Sequence, residues 1–286
     1  MSNSPNISID TSNPRGGLNL YFDLKAEKPQ ISPTWQSAGW RLTFIHIRGT
    51  FDLGEGDHYV KVITGKLNDP ELTALYEPFK VRSTQIKQQT ISAHHEGCLL
   101  AVFEKTAACP QNLHNVEEMM WSGPHSEALS WQSFEDKFAG VTTAFDGLDC
   151  YMAYGFHLID ENNVEIAYLN PWCCGKGVDL TTHNHSHAPS ERSPAFAEVH
   201  WVFNNGTGKG GMYETAEPGA AERTRHPLLV GDEHGPYFDL DADGRPERHS
   251  NGAVKYPWHG WQGGRDDRPQ QAYDYVAAFE INPDYI

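Results

Sequence analysis

The sequence predicts an all-β protein, and two observations support this fold class. Short runs rich in Val, Ile, Phe, Tyr and Trp alternate with Gly, Pro, Asn and Asp, which is typical of strands joined by turns. Stretches with helical character are few, and we expect short helices only at Pro70–Phe79 and Ser126–Phe138. Many strands with little helix favour a sandwich or a barrel over a doubly wound sheet.

The strand predictions follow the chain in order. Each predicted strand is an apolar, β-branched or aromatic run that is bounded by turn residues on both sides. The predicted strands are Arg41–Ile47, His58–Thr64, Cys98–Phe103, Leu148–Leu158, Val164–Leu169, Phe196–Phe203 and Tyr273–Ile281.

Composition limits the classes of function. The chain has 286 residues and a formal net charge of −16, which argues against nucleic acid as a partner because phosphate contacts need Lys and Arg. No run approaches the roughly 20 apolar residues of a membrane span, and the first residues lack the pattern of a signal peptide. The five cysteines have no disulfide-framework spacing. We therefore expect a cytoplasmic protein with reduced thiols and no membrane partner.

Histidines recur at alternate positions in residues 181–213, the most informative stretch of the chain. His183, His185 and His187 would share one face of a strand, and Glu198 and His200 would share one face of another. Imidazole nitrogens combined with one carboxylate suit Zn²⁺, Fe²⁺, Mn²⁺ or Ni²⁺. The pattern predicts a site for one divalent transition metal, with zinc as the first choice.

This constellation resembles the cupin superfamily. The resemblance rests on the pair at 185–187, on Glu198 followed by an apolar strand and the turn at 204–206, and on Pro257-Trp258-His259-Gly260. It implies a double-stranded β-helix, which is a jelly-roll barrel. The metal ligands that the resemblance implies are His185, His187, Glu198 and His259.

The choice of the carboxylate departs from the usual cupin spacing. Glu198 follows His187 by eleven residues, a wider gap than the cupin motif has. Glu191 lies at the usual gap, but Ser, Pro and Arg surround it and no strand follows it. We therefore prefer Glu198 as the carboxylate ligand.

Two further histidines stay open as metal ligands. His183 precedes the pair by two residues and would lie on the same strand face, so it is an alternative to either member. His259 lies 61 residues after Glu198, which is a long separation for the two halves of one motif. His234 is therefore an alternative to His259.

The cupin resemblance covers residues 151–286, and a fainter strand-glycine-strand pattern at residues 56–67 extends it to the first half. We therefore expect a bicupin. Residues 1–17 would form a loose arm, residues 18–124 an N-terminal β lobe without a metal, and residues 125–286 a C-terminal lobe with the metal site. Analogy with this class also suggests a homodimer.

The stretch Ala195–Tyr213 also resembles the cupin portion of the aldos-2-ulose dehydratases, a family of carbohydrate-modifying enzymes. This resemblance implies a metal-dependent lyase or isomerase that acts on a sugar-derived carbonyl compound by dehydration or enediolate isomerisation. Two alternatives stay open. Three His and one Glu also hold iron in cupin dioxygenases, and other cupins are non-catalytic modules that bind a metal together with a sugar or a partner.

Lyase or isomerase chemistry needs an acid and a base near the metal. His200, Tyr213, Lys209 and Glu191 are the candidates, and we favour His200 because it shares a strand face with Glu198. Aromatic faces can stack on the C–H surfaces of a sugar. The candidates for such substrate contacts are Trp201, Trp258 and Trp261.

Residues 239–250 begin like a calcium-binding loop, with Asp239, Asp241 and Asp243 followed by Gly. The twelfth position, however, is Ser250 instead of the Glu that such loops need. Asp-Gly turns between strands give the same pattern for conformational reasons. We therefore predict a hairpin and not a calcium site at this loop.

Overall fold

The structure is a computed structural model, and it describes residues 4–9, 17–37, 39–68, 85–86, 90–106, 150–152, 155–180, 182–184, 196–208, 210–227, 233–234, 238, 240–243, 245–265 and 273–285. These residues form eighteen strands and one 3-10 helix, Pro283–Tyr285. The all-β prediction is confirmed. The described residues include no helix that is long and apolar enough to cross a membrane. Both predicted helices lie outside the described residues.

The strands are numbered here in chain order. The first half contains β1 (Asn6–Ile9), β2 (Leu18–Phe22), β3 (Gln30–Ile31), β4 (Trp35–Ser37), β5 (Trp40–Ile47), β6 (Thr50–Asp52), β7 (His58–Leu67), β8 (Gln85–Ile86) and β9 (Thr90–Lys105). The second half contains β10 (Cys150–Met152), β11 (Phe156–Asp160), β12 (Glu165–Gly175), β13 (Ala197–Asn205), β14 (Gly211–Thr215), β15 (Glu222–Pro227), β16 (Glu233–His234), β17 (Trp258–Gln262) and β18 (Tyr273–Ile281).

These strands form three sheets. The main sheet has the order β1-β2-β11-β12-β18-β13-β16, and β10 also pairs with β12. The second sheet has the order β3-β5-β9-β7-β8, with β4 and β6 paired to β5 and β9. The third sheet has the order β15-β14-β17. The strand predictions agree with this arrangement, except that Leu148–Leu158 contains two strands, β10 and β11.

The N-terminal strands belong to the sheet of the second half of the chain. β2 runs parallel to β11, and β1 pairs antiparallel with β2. Leu18, Leu20 and Phe22 alternate on one face of β2 and are fully buried, which explains why this segment joins the main sheet. Residues that were expected in a loose arm and in an N-terminal lobe therefore extend the C-terminal sheet. The boundaries at 17 and 124 stay predictions.

One hydrophobic core joins the main sheet to the second sheet. The Phe156 ring lies 4.8 Å from the Trp35 ring and 5.4 Å from the Phe44 ring, measured between centroids. Phe103 meets Phe279 edge to face at 5.9 Å. Burial of each such ring contributes roughly 2–3 kcal/mol. The two halves of the chain are thus held together through one face of the main sheet.

Candidate active site

The other face of the main sheet carries buried polar side chains. Glu198 on β13 pairs in register with Glu280 on β18, which in turn pairs with Tyr168 on β12. All three side chains are buried. In the next row, His200 stands opposite Ala278. Side chains of residues that are paired in register point to the same side of a sheet, so these polar groups share the face opposite to that of Phe279, which packs against Phe103 of the second sheet.

Glu198 lies between two buried imidazoles. One carboxylate oxygen, Oε1, is 3.5 Å from Nε2 of His200, which shares the face of β13. The other oxygen, Oε2, is 3.5 Å from Nε2 of His259 on β17. The main sheet and the third sheet therefore meet at this carboxylate, and the structure brings together three of the residues that the sequence singled out.

The orientation of the His259 ring is fixed by the chain just before it. Its Nδ1 lies 3.1 Å from the carbonyl oxygen of Pro257. A carbonyl oxygen can only accept a hydrogen bond, so Nδ1 carries the proton and donates it. In the neutral ring, Nε2 then presents a lone pair toward the Glu198 carboxylate. Two electron-rich atoms that face each other in a fully buried position favour a cation or a proton near them.

The spacing of these donors suits a metal ion. Ligand atoms that lie 2.0–2.2 Å from a tetrahedral zinc ion are separated by about 3.4 Å from one another. The separation of 3.5 Å between Oε2 of Glu198 and Nε2 of His259 is close to that value. A backbone carbonyl that holds the far nitrogen of a ligating His is also a usual feature of such sites.

His183 places the histidine-rich segment beside His259. The backbone groups of the two residues exchange hydrogen bonds of 2.9 Å and 3.0 Å as an antiparallel bridge. Their rings lie 4.7 Å apart between centroids. His185 and His187 follow two and four residues later and lie outside the described residues. Within the part of the chain that the structure describes, no three His, Cys, Asp or Glu side chains form a complete metal-binding group.

Tyr256 supports Glu198 from the third sheet's side of the site. Its hydroxyl accepts a 2.8 Å hydrogen bond from the Glu198 backbone amide and donates one of 2.6 Å to the Phe196 carbonyl. Burial raises the pKa of Tyr256 well above its ordinary value, and the negative charges of Glu198 and Glu280 raise this pKa further. Tyr256 therefore stays protonated, which keeps it able to donate to Phe196.

Tyr213, a candidate acid or base, is placed away from this site. It is paired in register with Gly260, whereas the neighbouring Glu214 is paired with His259, so Tyr213 faces the opposite side of the third sheet. Its hydroxyl donates a 2.5 Å hydrogen bond to Asp179, and the Arg225 guanidinium lies 5.6 Å from its ring centroid. Burial, followed by the Asp179 hydrogen bond, raises the pKa of Tyr213. Tyr213 therefore lies on the side of the third sheet opposite to His259, and its role as an acid or base stays a prediction.

The three tryptophans that were candidates for substrate contacts lie in different places. Trp261 is 1% exposed, meets Trp172 edge to face at 5.3 Å and donates a 3.3 Å hydrogen bond from Nε1 to Asp274. It is a core residue, and little of its ring is open to a sugar. Trp258 alternates with His259 along β17 and faces the same side as Tyr213. The side chain of Trp201 lies outside the described part of the structure.

The remaining predicted residues have these positions. His234 pairs in backbone register with His200, and nothing is described of its side chain. Lys209, Glu191 and Asp239 lie outside the described residues.

In the acidic loop at residues 239–250, Leu240 forms an antiparallel bridge with Pro246. Asp241 Oδ1 accepts hydrogen bonds of 2.9 Å from the amides of residues 243 and 245, so this carboxylate holds a hairpin turn.

Three polar residues near the site were missed by the sequence reasoning. Glu280 is a charged residue that directly follows the apolar run at residues 275–279 of β18, and that contrast is a signal that could have found it. Glu214 and His226 lie on β14 and β15, and only the pairing of these strands with β17 brings them near His259. No local sequence pattern indicates that pairing.

Comparison with known proteins gives a consistent family assignment. A family model described as the aldos-2-ulose dehydratase/isomerase (AUDH) cupin domain matches residues 7–282. Aldos-2-ulose dehydratase from Phanerodontia chrysosporium is 27% identical over 272 residues, which are 85% of this chain and 30% of that protein. The chain thus spans less than a third of the length of this relative.

The solved structures that match this chain have low identity to it. A cupin 2 conserved barrel domain protein from Leptotrichia buccalis is 10% identical, with 90% of this chain and 91% of that chain covered and a TM-score of 0.27. AerE from Microcystis aeruginosa is 9% identical, with 97% of each chain covered and a TM-score of 0.28. With TM-scores this low, these structures carry no argument about the site.

Proposed function

The chain belongs to the aldos-2-ulose dehydratase/isomerase cupin domain family, and on this premise we propose that it is a metal-dependent lyase or isomerase. Its substrate is a sugar-derived carbonyl compound, on which it performs a dehydration or an enediolate isomerisation. The observation that carries this proposal is the Glu198 carboxylate, which lies 3.5 Å from the Nε2 atoms of both His200 and His259 in a buried setting. The family relationship supports the choice of a carbohydrate substrate.

Glu198 and His259 are the proposed ligands for which the structure describes positions, with His185 and His187 completing the set. A divalent ion held by these side chains would polarise the carbonyl group of the substrate and stabilise negative charge on its oxygen. Zinc is our first choice because the donors are imidazoles and one carboxylate, and Fe²⁺, Mn²⁺ and Ni²⁺ accept the same donors. His183 and His234 remain the alternatives for the positions that His185, His187 and His259 would fill.

His200 is the proposed base. Its imidazole accepts the proton from the carbon next to the substrate carbonyl, and the electron pair of that C–H bond moves into the enediolate. For an isomerisation, the proton returns to the former carbonyl carbon, the former carbonyl oxygen is protonated, and the hydroxyl proton of the enediolate is released. Transfer of the proton to a departing β-hydroxyl group forms water and completes a dehydration. The burial of His200 and Glu198 excludes water, which protects the enediolate from unwanted protonation.

The test combines metal analysis with anaerobic turnover. Purified protein is analysed for bound metals and then assayed without oxygen on D-arabino-hexos-2-ulose and on a panel of ketoses. We expect about one divalent metal per chain and turnover that chelation abolishes and the same metal restores. Glu198→Gln and His259→Gln should lose both metal and turnover, whereas His200→Gln should lose turnover and keep the metal.

Three outcomes would contradict the proposal. Full turnover by metal-free protein would exclude the metal-dependent mechanism. Consumption of oxygen that depends on iron, without anaerobic turnover, would favour a dioxygenase. Tight binding of a sugar without turnover of any compound in the panel would favour a non-catalytic binding module.

A further inference from the structure

A row of polar residues crosses the third sheet on the side that carries His259. His183 is bridged to His259, His259 is paired with Glu214, and Glu214 is paired with Thr224. Residues that are paired across strands point to the same side, with their Cβ atoms about 5 Å apart. The row therefore leads from the buried His259 to the exposed Thr224 at the surface.

Glu214 occupies the middle of this row and is held by two neighbours. Its Oε2 accepts a 3.3 Å hydrogen bond from the Thr224 hydroxyl, and its Oε1 lies 3.8 Å from Nε2 of His226. The side chains of Glu214 and His226 are 23% and 35% exposed. Unlike Glu198, the Glu214 carboxylate is thus within reach of a molecule that enters from solvent, and the Thr224 hydroxyl already donates a hydrogen bond to one of its oxygens.

We propose that Glu214, oriented by His226 and Thr224, binds the hydroxyl groups of the substrate that lie farthest from its reacting carbonyl. This inference rests on the proposed function, and it adds that the substrate is a polyhydroxylated chain or ring instead of a short dicarbonyl compound. A carboxylate accepts hydrogen bonds from two hydroxyls at once. The distance of about 5 Å between paired residues lets one sugar molecule reach both His259 and Glu214.

Glu214 and His226 are therefore residues of specificity. A hydroxyl that donates to a carboxylate makes a charge-assisted hydrogen bond, which is stronger than a hydrogen bond between neutral groups. The one hydroxyl of a three-carbon dicarbonyl compound is bound to the carbon next to its ketone, so we expect this hydroxyl to stay at the His259 end and not to contact Glu214. The enzyme should accordingly distinguish sugars by length, and this distinction should depend on Glu214 more than on the residues around the carbonyl.

The experiment compares two probes of different length. D-Arabino-hexos-2-ulose has six carbons with distal hydroxyls, and hydroxypyruvaldehyde has the same dicarbonyl end on three carbons. Affinity for each probe is measured by calorimetry or by saturation-transfer NMR, and KM and kcat are measured for any probe that turns over. We expect Glu214→Gln and His226→Gln to weaken binding of the six-carbon probe roughly tenfold or more, with binding of the three-carbon probe changed less than twofold.

Glu222→Gln is the matched control. Glu222 lies on β15, on the opposite side of the third sheet, and its carboxylate pairs with Arg225. This variant should bind both probes like the wild type. Metal content and thermal stability, measured for every variant, exclude a loss that comes from a damaged site or fold.

The outcomes distinguish a failure of the proposed role of Glu214 from a failure of the proposed function. Equal loss of both probes, or no loss of either, in Glu214→Gln would overturn the role of Glu214. Selective loss of the six-carbon probe by Glu214→Gln, in a protein that binds this probe but turns nothing over, would support the role of Glu214 and overturn the proposed function. A wild-type protein that binds neither probe would overturn both.

Discussion

The backbone amide of Glu198 donates a 2.8 Å hydrogen bond to the hydroxyl of Tyr256, a residue 58 positions later in the chain. The same hydroxyl donates to the Phe196 carbonyl at 2.6 Å. One buried side chain thus satisfies two backbone groups at the start of β13, where the ladder with β18 begins. Tyr256 also lies three residues before His259, so it ties together the two segments that supply the candidate ligands.

We expect Tyr256→Phe to lower the free energy of unfolding by about 1–3 kcal/mol, because the amide of Glu198 and the carbonyl of Phe196 lose a partner in a buried position. Metal affinity should fall roughly tenfold, since the Tyr256 hydroxyl no longer holds the Glu198 backbone in place. Urea denaturation and a competition assay with a chelator measure the two effects.

Tyr285→Phe is the control for this prediction. The Tyr285 hydroxyl donates a 2.8 Å hydrogen bond to Asp160, away from the site. This variant should lose stability without losing metal affinity. Equal metal affinity of Tyr256→Phe and the wild type would show that Tyr256 supports only the fold.

Tyr213→Phe should keep its turnover within about twofold of the wild type, because its hydroxyl is directed to Asp179 on the opposite side of the sheet from His259. His200→Gln, measured in the same assay, should lose at least roughly a hundredfold in kcat as a proposed general base. A comparable loss in Tyr213→Phe would mean that Tyr213 reaches the substrate and would contradict the register described above.

The sequence was sufficient to predict the fold class and the shared strand face of Glu198 and His200, because both depend on local alternation. Glu198 and His200 share a face since they are two residues apart on one strand, and the Pro257–His259 segment was identified by its own short motif. Glu280 is marked in the sequence by the apolar run before it, but its position beside Glu198 depends on the register of β18 with β13. The union of β2 with β11 was missed, since a pairing across about 140 residues leaves no local pattern.

Thr207→Val should lower the free energy of unfolding by about 1–3 kcal/mol. The Thr207 hydroxyl lies 2.7 Å from both carboxylate oxygens of Asp274 and accepts a 2.6 Å hydrogen bond from the Gly264 amide. Asp274 is fully buried, so the loss of this donor leaves its charge less well solvated. Thermal and urea denaturation measure the effect.

The control for Thr207→Val is Thr43→Val, which also removes a threonine hydroxyl. Thr43 makes its side-chain hydrogen bond with Thr34 at an exposed position, where water can replace it. Its substitution should change stability by less than about 0.5 kcal/mol. Equal effects of the two substitutions would contradict a special role for the contact between Thr207 and Asp274.

Stability on the acid side should depend on His46 in the second sheet. The His46 side chain is 1% exposed, and its Nδ1 lies 3.4 Å from Nε2 of Gln30, which can donate to it. Burial lowers the pKa of His46, and the positive charge of Arg48 lowers it further, whereas Asp23 and Glu161 oppose these effects. The folded protein therefore holds this imidazole neutral.

The sign of the pH dependence follows from this lowered pKa. Below the ordinary value of 6.5, the unfolded chain binds a proton at His46 that the folded chain does not bind. The contribution of the neutral His46 to the free energy of unfolding is fully present above that pH, and it is lost as the pH falls from 6.5 toward the lower pKa of the folded state.

We expect His46→Gln to show a shallower fall in the free energy of unfolding between about pH 7 and pH 5 than the wild type. Urea denaturation across this range measures the slope. Identical slopes for the wild type and His46→Gln would mean that His46 binds protons equally in the folded and unfolded states.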